Sequence, residues 1–132
     1  RLEKDSPYVE FKLIENMSHH EVIKIKKTCD ILIDQIGDSG GWGYGMNSVE
    51  SMKLGLCCMS EMNAACNKFF EDHPFVNINK YNLESRLRKL IDNPLLIDQH
   101  KQKSIDWVKK KHSVESVGKH LYENYNRILS GA

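Results

Sequence analysis

Short apolar runs and amphipathic stretches alternate along this chain of 132 residues. Runs rich in β-branched or aromatic residues predict four strands, over residues 8–14, 30–35, 56–60 and 75–78. The run at 30–35 lacks a strict alternation of apolar and polar positions, which is typical of a parallel strand covered on both faces.

Helix signals separate and follow these runs. Ser18 and Glu21 have the spacing of a capping box, which predicts a helix over 19–28 with its lysines facing solvent. Further helices are predicted over 47–54, within 62–70, over 82–92, over 94–111 and after Ser113. In the last helix the spacing of the apolar residues predicts one buried stripe, formed by Val114, Val117, Leu121, Tyr125 and Ile128.

This order of elements predicts an α/β fold. We expect one Rossmann-like domain over residues 1–132, with a short parallel sheet of about four strands flanked by helices in three layers. The C-terminal helices should pack alongside. In such sheets ligands bind beyond the carboxyl ends of the strands.

A glycine-rich loop leaves the predicted strand at 30–35. Its glycines, Gly40, Gly41, Gly43 and Gly45, stand just before a helix that should begin near Met46. Backbone N–H groups at such a loop and helix start can surround an anion such as a diphosphate. The alternative is a flexible loop without a ligand.

Composition narrows the function classes. The content of hydrophobic residues, 40%, and of charged residues, 28%, is that of a globular domain. The net charge of +1 gives no support for a nucleic-acid partner. The basic run at 109–112 fits a solvated helix end better than a binding patch. No signal peptide or membrane-spanning run is recognisable.

The cysteines and histidines do not indicate a metal site. The four cysteines, Cys29, Cys57, Cys58 and Cys66, form no C-x-x-C pair, which favours buried thiols in a reducing compartment. His19 and His20 are adjacent and would point in different directions on a helix. We therefore expect neither a metal nor a bound cofactor.

The stretch GWGYGMNSVESMKLGLCC resembles the donor-site segment of family 4 glycosyltransferases, whose pattern is E-G-F-G-x-x-x-x-E-A-M-A-x-G-x-P-V. Gly43, Tyr44 and Gly45 match G-F-G, and Glu50 matches the final glutamate. Met52 and Gly55 match the M and G that follow. The stretches KIKKTCDILIDQ and DNPLLIDQHKQKSIDWVKKKHSVESVGKHLYENYNRIL are also similar to family segments, so the resemblance covers nearly the whole chain.

The resemblance implies the C-terminal, donor-binding lobe of a retaining enzyme with the two-lobed GT-B fold. Glu50 would accept hydrogen bonds from the ribose hydroxyls, as a carboxylate can do for two neighbouring donors. The alternative for Glu50 is an exposed helix glutamate. The backbone around Gly45, Met46, Asn47 and Ser48 would meet the diphosphate and sugar.

One departure from the pattern concerns the sugar. The first glutamate of the motif falls at Trp42, which cannot accept hydrogen bonds from sugar hydroxyls. Asp34, Gln35 or Asp38 could take over this role. Trp42 itself could stack on an apolar sugar face or belong to the core. The catalytic residue and the sugar stay undetermined.

The resemblance also implies partners. The substrate would be a nucleoside-diphosphate-sugar, and the parent enzyme would transfer its sugar to a glycan or lipid-linked acceptor at the cytoplasmic face of a membrane. The chain begins at Arg1, and we expect an N-terminal acceptor-binding lobe in the same protein. This chain alone should bind nucleotide weakly and transfer no sugar. The alternative is a non-catalytic Rossmann-like module that binds a partner protein.

Overall fold

Three short parallel strands form the sheet of a computed structural model that describes residues 6–37 and 44–131. They are β1 (Ile31–Ile33), β2 (Cys57–Ser60) and β3 (Val76–Asn77), in the order β1-β2-β3. Ile31 pairs with Cys57, and Met59 pairs with Val76. The predicted α/β class and the parallel sheet are confirmed.

Six helices accompany this sheet in the described part of the chain. They are α1 (His19–Lys26), α2 (Met46–Lys53), α3 (Ala64–Phe69), α4 (Leu83–Ile91), α5 (Pro94–His112) and α6 (Val114–Leu129). The capping box of Ser18 and Glu21 is present at the start of α1. The side chains of Asn93 and Ser113 cap α5 and α6, as the sequence predicts.

The central strand β2 lies between two apolar clusters. Its four residues are all buried. Cys57 and Met59 belong to a cluster with residues of α4, whereas Cys58 belongs to a cluster with residues of α2 and α5. Successive side chains of a strand point to opposite faces, so helices cover both faces of the sheet.

The predicted strand at 8–14 is wrong. These residues have no strand pairing, and the side chains of Tyr8, Phe11 and Leu13 are exposed. Residues of β-forming type need a neighbouring strand with which to form a ladder, and no described strand pairs with this segment. The described sheet therefore has three strands, where about four were expected.

The buried stripe predicted on α6 is also wrong. No residue of α6 is buried, and Val114, Tyr125 and Ile128 are more than half exposed. The apolar spacing is that of an amphipathic helix, but no described element covers this face. Periodicity identifies the helix and its apolar side, and it does not identify what lies against that side.

The cysteines are free thiols, and Cys57, Cys58 and Cys66 are buried, as predicted. Burial raises the pKa of the Cys57 thiol to about 12, so it is protonated and a poor nucleophile at neutral pH. Within residues 6–37 and 44–131, no helix is both long and apolar enough to cross a lipid bilayer.

Candidate functional site

The start of α2 lies beside the carboxyl end of β1. Beyond this strand, the N–H of Asp34 donates to the carbonyl of Met59, and the carbonyl of Gln35 accepts from the N–H of Glu61. Backbone hydrogen bonds thus hold Asp34 and Gln35 beside the end of β2. The stretch that leads to α2 begins after Gln35. The first turn of α2 therefore lies at the edge where parallel α/β sheets bind ligands.

The N-terminus of α2 has no side-chain cap among the described residues. Gly45 is its N-cap, whereas the side chains of Ser18, Asn63, Asn93 and Ser113 cap four other helices. The first-turn amides of a helix have no intrahelical partner, and they carry the positive end of the helix dipole. The start of α2 is therefore suited to an anion.

Glu50 lies in the second turn of α2 and forms two ion-pair contacts with α1. Its Oε1 atom accepts a hydrogen bond from Nζ of Lys26 at 2.6 Å, and its Oε2 atom accepts one from Nε2 of His19 at 2.5 Å. The two partners differ in exposure, since the Lys26 side chain is 3% exposed and the His19 side chain 76%. Glu50 therefore links a buried cation to a solvent-exposed imidazole.

These contacts explain the charge state of Glu50. Partial burial raises the pKa of its carboxyl. The hydrogen bonds and charges of Lys26 and His19 lower this pKa by a larger amount, so the net pKa lies below the ordinary value. Glu50 is thus a carboxylate at neutral pH and can act only as a hydrogen-bond acceptor.

The same polar network continues to the end of β1. Lys26 Nζ also donates to Oδ1 of Asn47 at 2.6 Å, and Nδ2 of Asn47 donates to Oδ1 of Asp34 at 2.8 Å. The hydroxyl of Ser48 donates to the other oxygen of Asp34. Six side chains from α1, α2 and the end of β1 are therefore joined in one chain of hydrogen bonds that begins at His19 and ends at Ser48.

Two of the predicted site residues, Asp34 and Ser48, make contacts within this network. The Ser48 side chain is fully buried, and its N–H bonds to the carbonyl of Gly45. Asp34 was a candidate for binding sugar hydroxyls, but both of its carboxylate oxygens bond to α2. Asp34 and Ser48 thus hold the start of α2 against the sheet. Gln35 is exposed, and its side-chain nitrogen lies close to Gly45.

Tyr44 has its side chain in the core. Its ring centroid lies 5.1 Å from that of Phe75 and 5.5 Å from that of Trp107, and its hydroxyl is 3.3 Å from Nε2 of His112. Burial raises the pKa of Tyr44 and lowers that of His112. The side chain of Tyr44 therefore anchors the chain just before α2.

The other predicted residues fall into two groups. Met46 and Asn47 are exposed on the first turn of α2, next to Gly45. Asp38, Trp42 and Gly43 lie outside the described residues.

Lys26 and His19 are the site residues that sequence reasoning missed. All lysines of the first helix were expected to face solvent, and Lys26 contradicts this. Residues seven positions apart share a helix face, so the spacing of His19 and Lys26 carried a signal. The partner of that face, Glu50, is 24 positions further along the chain from Lys26 and could not be found from spacing alone.

Two other features of the described residues concern metal binding and cavities. No group of three or more metal-ligating side chains occurs among them. A cavity of about 460 Å³ lies between α5 and α6. Its lining includes lysines, Asp106 and Glu115, and it includes no residue of α2.

In comparisons with known proteins, no family model, no curated protein and no solved structure matches this chain.

Proposed function

We propose that this chain is the nucleotide-sugar-binding C-terminal lobe of a retaining glycosyltransferase with the GT-B fold, similar to family 4. The observation that carries the proposal is the uncapped start of α2 at the ligand-binding edge of a parallel sheet, with the ionised Glu50 one turn further along. The proposal also includes a Rossmann-like fold for this lobe, which is more specific than the α/β class described above.

Each part of the site has a role in this proposal. The amides of Met46 and Asn47 and the dipole of α2 bind the diphosphate. Glu50 would accept hydrogen bonds from the ribose hydroxyls, and the exposed Gln35 would contact the sugar. Tyr44, Asp34 and Ser48 fix the position of this helix start through the contacts described above.

The charges of the site bear on its affinity. In this network of described residues, the carboxylates of Asp34 and Glu50 outnumber the one ammonium, that of Lys26. A diphosphate therefore needs further cations than this network supplies. In the parent enzyme other segments, including an N-terminal acceptor-binding lobe, would complete the cleft, so this chain alone should bind nucleotide weakly and transfer no sugar.

The parent enzyme in this proposal transfers the sugar to a glycan or lipid-linked acceptor at the cytoplasmic face of a membrane. The departing diphosphate gains negative charge as the glycosidic bond breaks. The α2 dipole, together with cations from other segments of the parent enzyme, would be oriented toward that charge before the reaction and would stabilise the transition state.

Calorimetric titration of the chain with UDP, GDP and ADP tests the proposal. At least one nucleotide should bind, and Glu50→Gln should weaken that binding by about tenfold, the effect of losing a charged hydrogen-bond acceptor. Glu123→Gln is the matched control, since Glu123 lies on the exposed helix α6. Failure of all three nucleotides and of their sugar conjugates to bind would overturn the proposal.

A second candidate is a non-catalytic module that binds a partner protein. The observation that favours it is the exposed apolar face of α6, which includes Val117 and Leu121. In this case nucleotides would not bind at α2, and Leu121→Glu would remove the interaction of the chain with its partner protein while leaving the fold intact.

A further inference from the structure

Lys26 is a buried cation on a helix whose other lysine, Lys24, is exposed. Moving an ammonium group out of water is costly, so a buried lysine needs acceptors close by. Lys26 has two, Oε1 of Glu50 and Oδ1 of Asn47, each 2.6 Å from its Nζ atom.

Both acceptors lie on the first turns of α2, where the diphosphate and the ribose are proposed to bind. One ammonium therefore fixes two side chains at once. The amide of Asn47 is also fixed in orientation, because its oxygen accepts from Lys26 while its nitrogen donates to Asp34. Lys26 thus couples the orientation of Glu50 to the end of β1.

The contact also decides which oxygen of Glu50 is available. Oε1 bonds to Lys26, whose side chain is buried, whereas Oε2 bonds to His19, whose side chain is exposed. Oε2 is therefore the atom that an incoming hydroxyl can reach from solvent once it shares or replaces the contact with His19.

We propose that Lys26 is a positioning residue for nucleotide binding, which holds Glu50 so that Oε2 accepts hydrogen bonds from the ribose. This inference rests on the proposed function. Lys26 acts through Glu50 and does not itself contact the phosphates.

Removing one partner of an ion pair is most costly where the remaining charge stays buried. In Lys26→Met the remaining Glu50 carboxylate is 30% exposed and can be solvated, so we expect a folded chain of reduced stability. The variant should lose the fixed orientation of that carboxylate and with it nucleotide affinity.

A double-mutant cycle tests the proposal with the nucleotide that the wild-type chain binds best. Lys26→Met should lower affinity by about tenfold in the wild-type background, and by less than about twofold in the Glu50→Gln background. Lys24→Met is the matched control, because it removes the same charge from an exposed position of α1. Thermal unfolding of every variant checks that the chain is folded.

Titration with inorganic pyrophosphate separates positioning from direct phosphate binding. Pyrophosphate has no ribose, so its affinity should change by less than about twofold in Lys26→Met. Additive losses in the cycle, an unchanged nucleotide affinity in Lys26→Met, or a lost pyrophosphate affinity would each overturn the role of Lys26 and leave the nucleotide site standing. If the wild-type chain binds no nucleotide, the proposed function and this inference fail together.

Discussion

The ammonium of Lys26 lies 2.6 Å from Oε1 of Glu50, although the two residues are 24 positions apart and belong to different helices. This contact joins the helix before β1 to the helix after the glycine-rich loop. A second contact of Lys26, with Asn47, places the same cation beside the first turn of α2. The polar network and the proposed nucleotide site therefore share their residues.

The first prediction concerns how the stability of the fold changes at low pH. The folded-state pKa of Glu50 lies below its ordinary value, so this group stabilises the fold at pH values above its unfolded pKa of about 4.3. That contribution is lost as the pH falls through the folded-state pKa. In urea unfolding, the stability difference between wild type and Glu50→Gln should be constant near neutral pH and shrink below about pH 5. A difference that stays constant down to about pH 3 would contradict the low pKa.

The second prediction concerns His19. Its Nε2 atom forms a hydrogen bond with Oε2 of Glu50, and this oxygen is the one to which the ribose is proposed to donate. His19→Ala should therefore strengthen nucleotide binding by about two- to threefold, since a competing hydrogen bond at an exposed site is removed. His20→Ala is the control, because the adjacent side chain makes no described contact with Glu50. A weaker affinity in His19→Ala would show that His19 supports Glu50 rather than competing for it.

The third prediction compares two glycines. Gly55 ends α2 with a φ of +84°, and an added Cβ would also lie 3.4 Å from Cδ1 of Ile105. Gly55→Ala should lower the free energy of unfolding by about 1–2 kcal/mol, the cost of a left-handed backbone with a side chain. Gly118 lies inside α6 with open space around it, and Gly118→Ala should raise stability by about 0.5–1 kcal/mol. Chemical denaturation measures both, and equal effects would contradict the backbone assignment.

The fourth prediction tests the position of α6. Leu90 is 2% exposed in the core, and Leu121 on α6 is 48% exposed. Leu90→Ala should cost about 2–5 kcal/mol in the free energy of unfolding, whereas Leu121→Ala should cost about 0.5 kcal/mol. Similar costs for the two variants would mean that α6 packs its apolar face within this chain.

The sequence predicts most of the local structure. The caps at Ser18, Asn93 and Ser113 and the stop at Gly55 are local signals, because each depends on residues within one helical turn. The parallel class of the sheet follows from the alternation of strands and helices. The segment at 8–14 and the face of α6 could not be predicted, because pairing and burial depend on a partner that local patterns do not specify.

The candidate site shows the same limit. The motif predicted a site at Glu50 and the start of α2, but it did not reveal that Asp34 and Ser48 bond to each other. Nor did it indicate that the side chain of Tyr44 would lie among Phe75 and Trp107. These roles depend on contacts between distant segments, and only the folded chain brings those segments together.

The most direct test of the central claim is to locate the bound nucleotide by NMR. Backbone amide shifts of the chain would be followed while UDP, GDP or ADP is added. The account predicts that the largest shifts occur at Gly45, Met46 and Asn47, with a smaller response at Glu50 and Lys26. No shift with any of these nucleotides, or shifts confined to the lysines at the junction of α5 and α6, would contradict a nucleotide site at the start of α2.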